Sequence, residues 1–226
     1  MSDKSKLWYL EKFNLFEGMT QAKRLEAEKK TTMRRTKKDQ YIFFPEEPST
    51  SVFLLKEGRV KLGSYSDDGK ELIKAILSPG EMFGELSVTG EEKRKDFAQS
   101  ITDESLICAI SKELMLEMME MNPTMSLKIT KLIGIRLRKT ERRLSDLLFK
   151  DARTRVIDLI KELAEEQGKA VGHEILVKHN FTHKDMANLT ATSRQTVTTI
   201  LNELKEKDLI YTERKKILIR DLDTLN

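Results

Sequence analysis

Four residues on one short segment, Arg194, Gln195, Thr198 and Thr199, are of types that read nucleic acid. An arginine pairs in bidentate fashion with guanine O6 and N7, and a glutamine amide with adenine N6 and N7. Their spacing, two adjacent pairs one helical turn apart, places them on the outward side of a helix running from 194 to about 206. The inner face of that helix is Val197, Ile200, Leu201 and Leu204. A helix that is merely solvated favours Glu and Lys on its outer face, so this composition weighs against an ordinary helical hairpin. The hydroxyls of Thr182, Ser193 and Thr196 and the cations Arg214, Lys215 and Lys216 are candidates for the phosphate backbone, which positions a reader without carrying sequence information. Catalysis finds no comparable constellation. Ser87, Thr89 and Cys108 have no histidine in their own half of the chain, because His173, His179 and His183 all lie further on and read as surface or hairpin residues. The chain is therefore expected not to be an enzyme, and no metal site is expected.

The elements around those residues fit a reading head. Thr182 can cap a short helix carrying Met186, Ala187 and Leu189, and Ser193 can cap the next. Two short helices about three residues apart match the tri-helical DNA-reading motif, and small Ala187 and Ala191 suit a close crossing. Leu209-Ile210-Tyr211 and Ile217-Leu218-Ile219 frame the basic turn 213–216 as a hairpin wing. Upstream, Asp151 caps a helix from 152 to about 166 closed by Gly168, and 174–177 reads as a strand.

Between 40 and 111, turn chemistry at Phe44-Pro45, Glu57-Gly58, Asp68-Gly69, Pro79-Gly80 and Asp103-Glu104 breaks the chain into short apolar runs. These predict many short strands, a barrel or sandwich, with no βαβ alternation. From 123 to 149 one helix of about 40 Å is predicted, with Pro123 in its first turn. Its stripe of Met125, Ile129, Leu132, Ile133, Leu137 and Leu144, with Leu127, Ile135 and Leu147 off the stripe, is more apolar surface than a small barrel can cover. The expectation is a parallel two-helix dimer seam, rather than a core helix of one domain.

With 226 residues, 35% charged and 38% hydrophobic, the chain has room for about two domains. No apolar run approaches a membrane span, the first residues hold no signal core, and one cysteine excludes an intrachain disulfide, so a cytoplasmic protein is expected. Cys108, mid-strand, reads as a small core residue. The net charge of +4 is too small to name a partner. From 178 to 216 there are eight Lys or Arg against five Asp or Glu, so any phosphate-binding face must be local.

The segment 41–62, SPGEMFGELSV at 78–88, the helix ending LSDLLFKDARTRV, and THKDMANLTATSRQTVTTILNELKEKDLI together resemble the Crp/Fnr superfamily of bacterial transcription regulators. The resemblance runs over nearly the whole chain. It implies an α+β protein: a sensor β-roll or jelly roll at 1–121, similar to a cyclic-nucleotide-binding domain, a dimerisation helix and hinge at 122–150, and a winged helix-turn-helix at 151–226. It also implies a homodimer on double-stranded DNA that cooperates with RNA polymerase. A regulatory module of some other enzyme would share the roll but lack the Arg194 helix and the wing. Several N-terminal cysteines for an iron-sulfur cluster, and a histidine in the roll for haem, are both missing, so neither cofactor is expected.

In that family Gly-Glu-Leu, here Gly84, Glu85 and Leu86, is followed about ten residues later by an Arg that neutralises a cyclic phosphate and then by Ser or Thr. Here Lys95 and Asp96 stand at those positions, and Arg94 enters only if the register shifts by one. On the long helix Thr140 matches a base-contacting Thr, but Glu141 replaces its Ser partner. A carboxylate beside an anion is unfavourable and Lys lacks the planar fork of Arg. The expectation is therefore no effector, or one other than cyclic AMP in the usual mode; the alternative is a cyclic-nucleotide-responsive regulator with a divergent phosphate cassette. In the recognition helix the family often has Glu where Gln195 stands and Arg where Thr199 stands, which implies a different half-site.

Overall fold

The structure, a computed structural model, describes residues 20–225. The described residues divide into two compact units, 20–69 with 74–139, and 70–73 with 140–225. The first 19 residues, including the expected start of the sensor domain, lie outside the described residues.

In the N-terminal roll, helix α1 (Gln21–Lys30) leads into strands β1 (Thr32–Lys37), β2 (Tyr41–Phe43), β3 (Ser51–Glu57), β4 (Val60–Tyr65), β5 (Glu71–Leu77), β6 (Met82–Phe83), β7 (Phe97–Ser100) and β8 (Glu104–Ser111). They form two four-stranded sheets, ordered β1-β8-β3-β6 and β2-β7-β4-β5. The period of two along β3 explains how one strand serves two cores. Val52 and Leu54 point into a cluster with Cys108, Ile110, Met115 and Met125. Phe53 and Leu55 point into another with Phe43, Phe83 and Ile107. In that second core Phe53 and Phe83 stack at 5.2 Å. Gly84, at φ 73°, turns the chain after β6 into a 3-10 helix, Glu85–Thr89, that carries the Gly-Glu-Leu segment. A Cβ at Gly84 would sit 3.1 Å from both Arg94 Nη1 and the Phe53 ring, so glycine is required by its conformation and by close approach.

Ser111 caps α2 (Lys112–Met121), and α3 spans Pro123–Phe149, the single long helix expected from the sequence. Its expected seam, however, mixes two faces. Met125 and Ile129 are 0% and 2% exposed and belong to the core shared with Leu54 and Met115, with Leu132 and Ile133 packed against the same cluster. Met125 and Ile129 are thus taken by the roll of their own chain, because the barrel's open side needs an apolar lid. Leu137 and Leu144 stay outside it, 58% and 60% exposed, together with Leu127 and Leu148.

The second unit holds α4 (Ala152–Gln167), β9 (Gly168–Val171), β10 (Glu174–Lys178), α5 (His183–Leu189), α6 (Arg194–Glu206), β11 (Ile210–Glu213) and β12 (Lys216–Ile219). Asp151 caps α4 by accepting from the Thr154 N–H at 2.7 Å. Its sheet is ordered β11-β12-β10-β9. Gly168 does not close α4 in a left-handed conformation; it is extended and opens β9, a strand the sequence reading did not anticipate. Glycine is needed there for space, since a Cβ would meet the Ala164 carbonyl at 2.3 Å. Val156, Ile160, Val197, Leu201, Leu204, Ile217 and Ile219 form the buried interior of this unit.

Candidate nucleic-acid interface and effector pocket

The reading head is built on its caps. Thr182 and Asp185 form a reciprocal capping box at the start of α5: the Thr182 hydroxyl accepts from the Asp185 N–H, and the Asp185 carboxylate accepts from the Thr182 N–H and hydroxyl. Between α5 and α6 the chain turns through Ala191 at φ 48°, held by Thr192 N–H donating to the Ala187 carbonyl at 2.9 Å. Ser193 then caps α6 by accepting from the Thr196 N–H at 2.9 Å, and the Thr196 hydroxyl lies 2.8 Å from the Ser193 hydroxyl. Val197, Ile200, Leu201 and Leu204 are buried, as the helical period requires.

Arg194, Gln195 and Thr199 come out exposed on α6, whereas Thr198 is half-buried. The Thr198 hydroxyl donates to the Arg194 carbonyl and pairs with His183 Nδ1, both at 2.9 Å. His183 is therefore tied to the recognition helix, a contact that the sequence reading missed. Gln195 and Thr199 flank a cleft shared with Asp151 and Arg153 at the start of α4, closed on one side by the Arg153–Glu203 ion pair at 2.6 Å. The wing turn places Lys215 at φ 63°, with its carbonyl accepting from the His179 N–H. Arg214, Lys215 and Lys216 are all exposed, and Lys216 pairs with Glu213 across the hairpin at 3.2 Å.

In the roll, Glu85 is buried at 6% exposure and its carboxylate receives the guanidinium of Arg136 from α3. Arg136 also donates to the Met82 carbonyl. Sequence reading passed over Arg136. The usable signal was its place seven residues after Ile129 on the roll-facing stripe, where a half-buried cation calls for a carboxylate. Arg94, 3% exposed, donates to the Gly84 carbonyl at 3.1 Å and to the Ser51 carbonyl, and it pairs with Glu91 at 3.4 Å. It lies over the Phe43 ring, 4.5 Å from the centroid. Burial pulls its pKa below the ordinary arginine value, with Glu91 and Glu85 opposing. Lys95 is exposed, Asp96 pairs with Lys74, and Leu86 is exposed beside Glu85. Lys95 and Asp96 are thus not the pair lining the Gly84–Glu85 segment; Arg94 is the cation that reaches Gly84. Thr140 and Glu141, both exposed on α3, fall in the second unit.

Residues 33–122 match the cyclic nucleotide-binding domain family, and residues 154–226 match the Crp-like helix-turn-helix domain. A CRP-like cAMP-activated global transcriptional regulator of Mycobacterium tuberculosis is 30% identical over 184 residues, 81% of this chain and 82% of that protein. The chain belongs to the Crp/Fnr family of transcription regulators. Among solved structures, a mutant of CooA from Carboxydothermus hydrogenoformans is similar with a TM-score of 0.75 at 26% identity, covering 87% of each chain. FixK2 from Bradyrhizobium japonicum, at 20% identity, shares the fold with a TM-score of 0.76 over 87% of this chain and 97% of that one. The regulator described here therefore joins a cyclic-nucleotide-binding-type roll to a DNA-binding helix-turn-helix and is not an enzyme. None of its described helices is long and apolar enough to cross a membrane.

Proposed function

We propose that this Crp/Fnr regulator acts as a cytoplasmic homodimer that reads an inverted repeat in double-stranded DNA and cooperates with RNA polymerase. The observation that carries the reading is the exposed trio Arg194, Gln195 and Thr199 at the N-terminal end of α6. Arg194 is suited to guanine and Gln195 to adenine, while Thr199 offers a small hydroxyl or methyl contact. Because the Thr198 hydroxyl is engaged by Arg194 and His183, it supports this face rather than reading bases. The capping hydroxyls of Thr182 and Ser193 and the hydroxyl of Thr196 in the first turn of α6 sit at helix starts, where N–H groups face outward toward a phosphate, and Arg214, Lys215 and Lys216 supply the wing's contact.

The exposed face of α3 supports a dimer. Leu127, Thr130, Gly134, Leu137, Glu141, Leu144 and Leu148 recur at alternating intervals of three and four, the seam pattern of a parallel two-helix coil. Two such heads would meet the same groove face about 34 Å apart. The roll supports either no effector or one other than cyclic AMP in the usual mode, since the guanidinium of Arg94 is engaged by backbone carbonyls and that of Arg136 by Glu85. The M. tuberculosis relative is cAMP-activated, which keeps a cyclic-nucleotide response with a divergent cassette as the second reading.

Selection of random duplexes by the full-length protein is the test. An inverted repeat with half-sites about one helical turn apart is expected, and Arg194→Ala should leave one guanine position of each half-site degenerate. Enrichment of single, unrepeated sites by the wild type would overturn the dimeric reading.

A further inference from the structure

Arg155, in the first turn of α4, joins two other helix ends. Its Nη1 donates to the Lys150 carbonyl at 2.6 Å, just past the end of α3. Its Nε donates to the Thr190 carbonyl at 2.9 Å, and its Nη2 to the Ala191 carbonyl at 3.3 Å. Thr190 is the C-cap of α5, and Ala191 is the left-handed residue of the helix-turn-helix turn. The last carbonyls of a helix lack intrahelical donors and carry the negative end of its dipole. One guanidinium thus satisfies carbonyls beyond both α3 and α5 at once. The planar fork of arginine holds its three donors on three separate nitrogens at fixed angles, whereas the donors of a lysine all diverge from one nitrogen.

The surroundings make this contact directional. Lys150 is also fixed through its side chain, with Nζ 2.7 Å from Asp146 on α3 and 2.7 Å from Asp158 on α4. The turn on the other side of Arg155 is stiff, with the Thr190 hydroxyl donating to the Met186 carbonyl at 2.8 Å. Ser193, which starts the recognition helix, follows three residues after Thr190. Arg155 thus ties the end of α3 directly to the turn that precedes α6, beside the links that Lys150–Asp158 and Arg153–Glu203 make by way of α4. The interior of the head, built on Val156, Ile160, Val197 and Leu201, is made without it.

We propose that Arg155 is the positioning residue that couples the end of α3 to the recognition helix and so fixes the spacing at which two reading heads meet DNA. The inference rests on the dimeric reading above. With the fork in place, each α6 is held at one angle to the end of its own α3, and the dimer accepts one separation of half-sites. Without it, each head still reads its half-site, but the joint at 149–151 loses its tie to the Thr190–Ala191 turn and keeps the partly exposed Lys150 ion pairs.

The test measures binding of the full-length protein to a single half-site duplex and to inverted repeats whose spacer is lengthened or shortened by one and two base pairs. Arg155→Gln and Arg155→Lys are compared with the wild type. Both variants are expected to bind the half-site within about twofold of the wild type. They should bind the best-spaced repeat about tenfold more weakly and discriminate little between spacers, as when a rigid bivalent connection is loosened. Arg155→Lys keeps the charge and the aliphatic stem, so it reports the fork even if Arg155→Gln folds poorly. Variants that keep the wild-type spacer preference would overturn the proposal, as would a loss of half-site binding equal to the loss on the repeat. A wild type without any spacer preference would instead count against the dimer itself.

Discussion

Lys56 shows how much a single side chain in this protein departs from its sequence neighbourhood. It sits on β3 between buried Leu55 and exposed Glu57 and is itself 6% exposed, at the bulge where β3 shifts register against β8. Burial lowers its pKa from 10.5 to about 8, with the nearby Cys108 thiol acting in the opposite direction. A folded-state value below the unfolded one means that the unfolded chain holds more protons between about pH 8 and 10.5. The cost of the buried charge is therefore present in full below pH 8, and stability rises as the pH climbs to 10.5. Lys56→Met is expected to raise unfolding free energy at pH 7 by up to about 3 kcal/mol, the equivalent of the shift. The gain should shrink toward pH 10. Urea denaturation of both proteins at the two pH values checks this, and a gain that is independent of pH would contradict it. On the reading head, residue types alone pointed to Arg194 and Gln195, but Thr198 and His183 acquired their roles only from a hydrogen bond between two helices.

At the scale of the element, α3 carries two apolar faces that periodicity by itself merges into one. Met125, Ile129 and Arg136 point to the roll, and the stripe from Leu127 through Leu137 and Leu144 to Leu148 does not. The two faces predict opposite phenotypes. Leu137→Glu combined with Leu144→Glu should give a folded monomer in sedimentation, with a thermal midpoint that no longer depends on protein concentration, because these positions are exposed in the single chain. Ile129→Ala should leave the association state alone and lower stability by roughly 2 to 4 kcal/mol, the cost of a cavity in a packed core. A double variant that still sediments as a dimer would remove the assigned seam.

For the whole molecule, the question is whether the roll answers to the ligand its family is named for. A cyclic phosphate entering beside Gly84 would compete with the Gly84 and Ser51 carbonyls and Glu91 for Arg94, and it would find Glu85 already paired with Arg136. Each charge-assisted hydrogen bond broken costs about 1.5 to 3 kcal/mol, so displacing several removes most of a micromolar affinity. Calorimetry with cyclic AMP is expected to show no binding at micromolar concentrations. Micromolar binding together with tighter DNA binding would establish the second reading.

The sequence by itself determined the elements whose signals are local. The caps Asp151, Thr182 and Ser193 and the start of α6 at Arg194 follow from side chains that bond to backbone within a few residues, and the extent of α3 and the hairpin wing follow from apolar periodicity between turn residues. Tertiary structure alone decided what depends on partners far along the chain. Arg136 meets Glu85 across 51 residues, Arg94 reaches Ser51 across 43, and Arg155 reaches Thr190 across 35. It also decided which face of α3 the roll covers. A period of 3.6 states that a stripe is apolar, but only the packing of the barrel states which stripe is already buried.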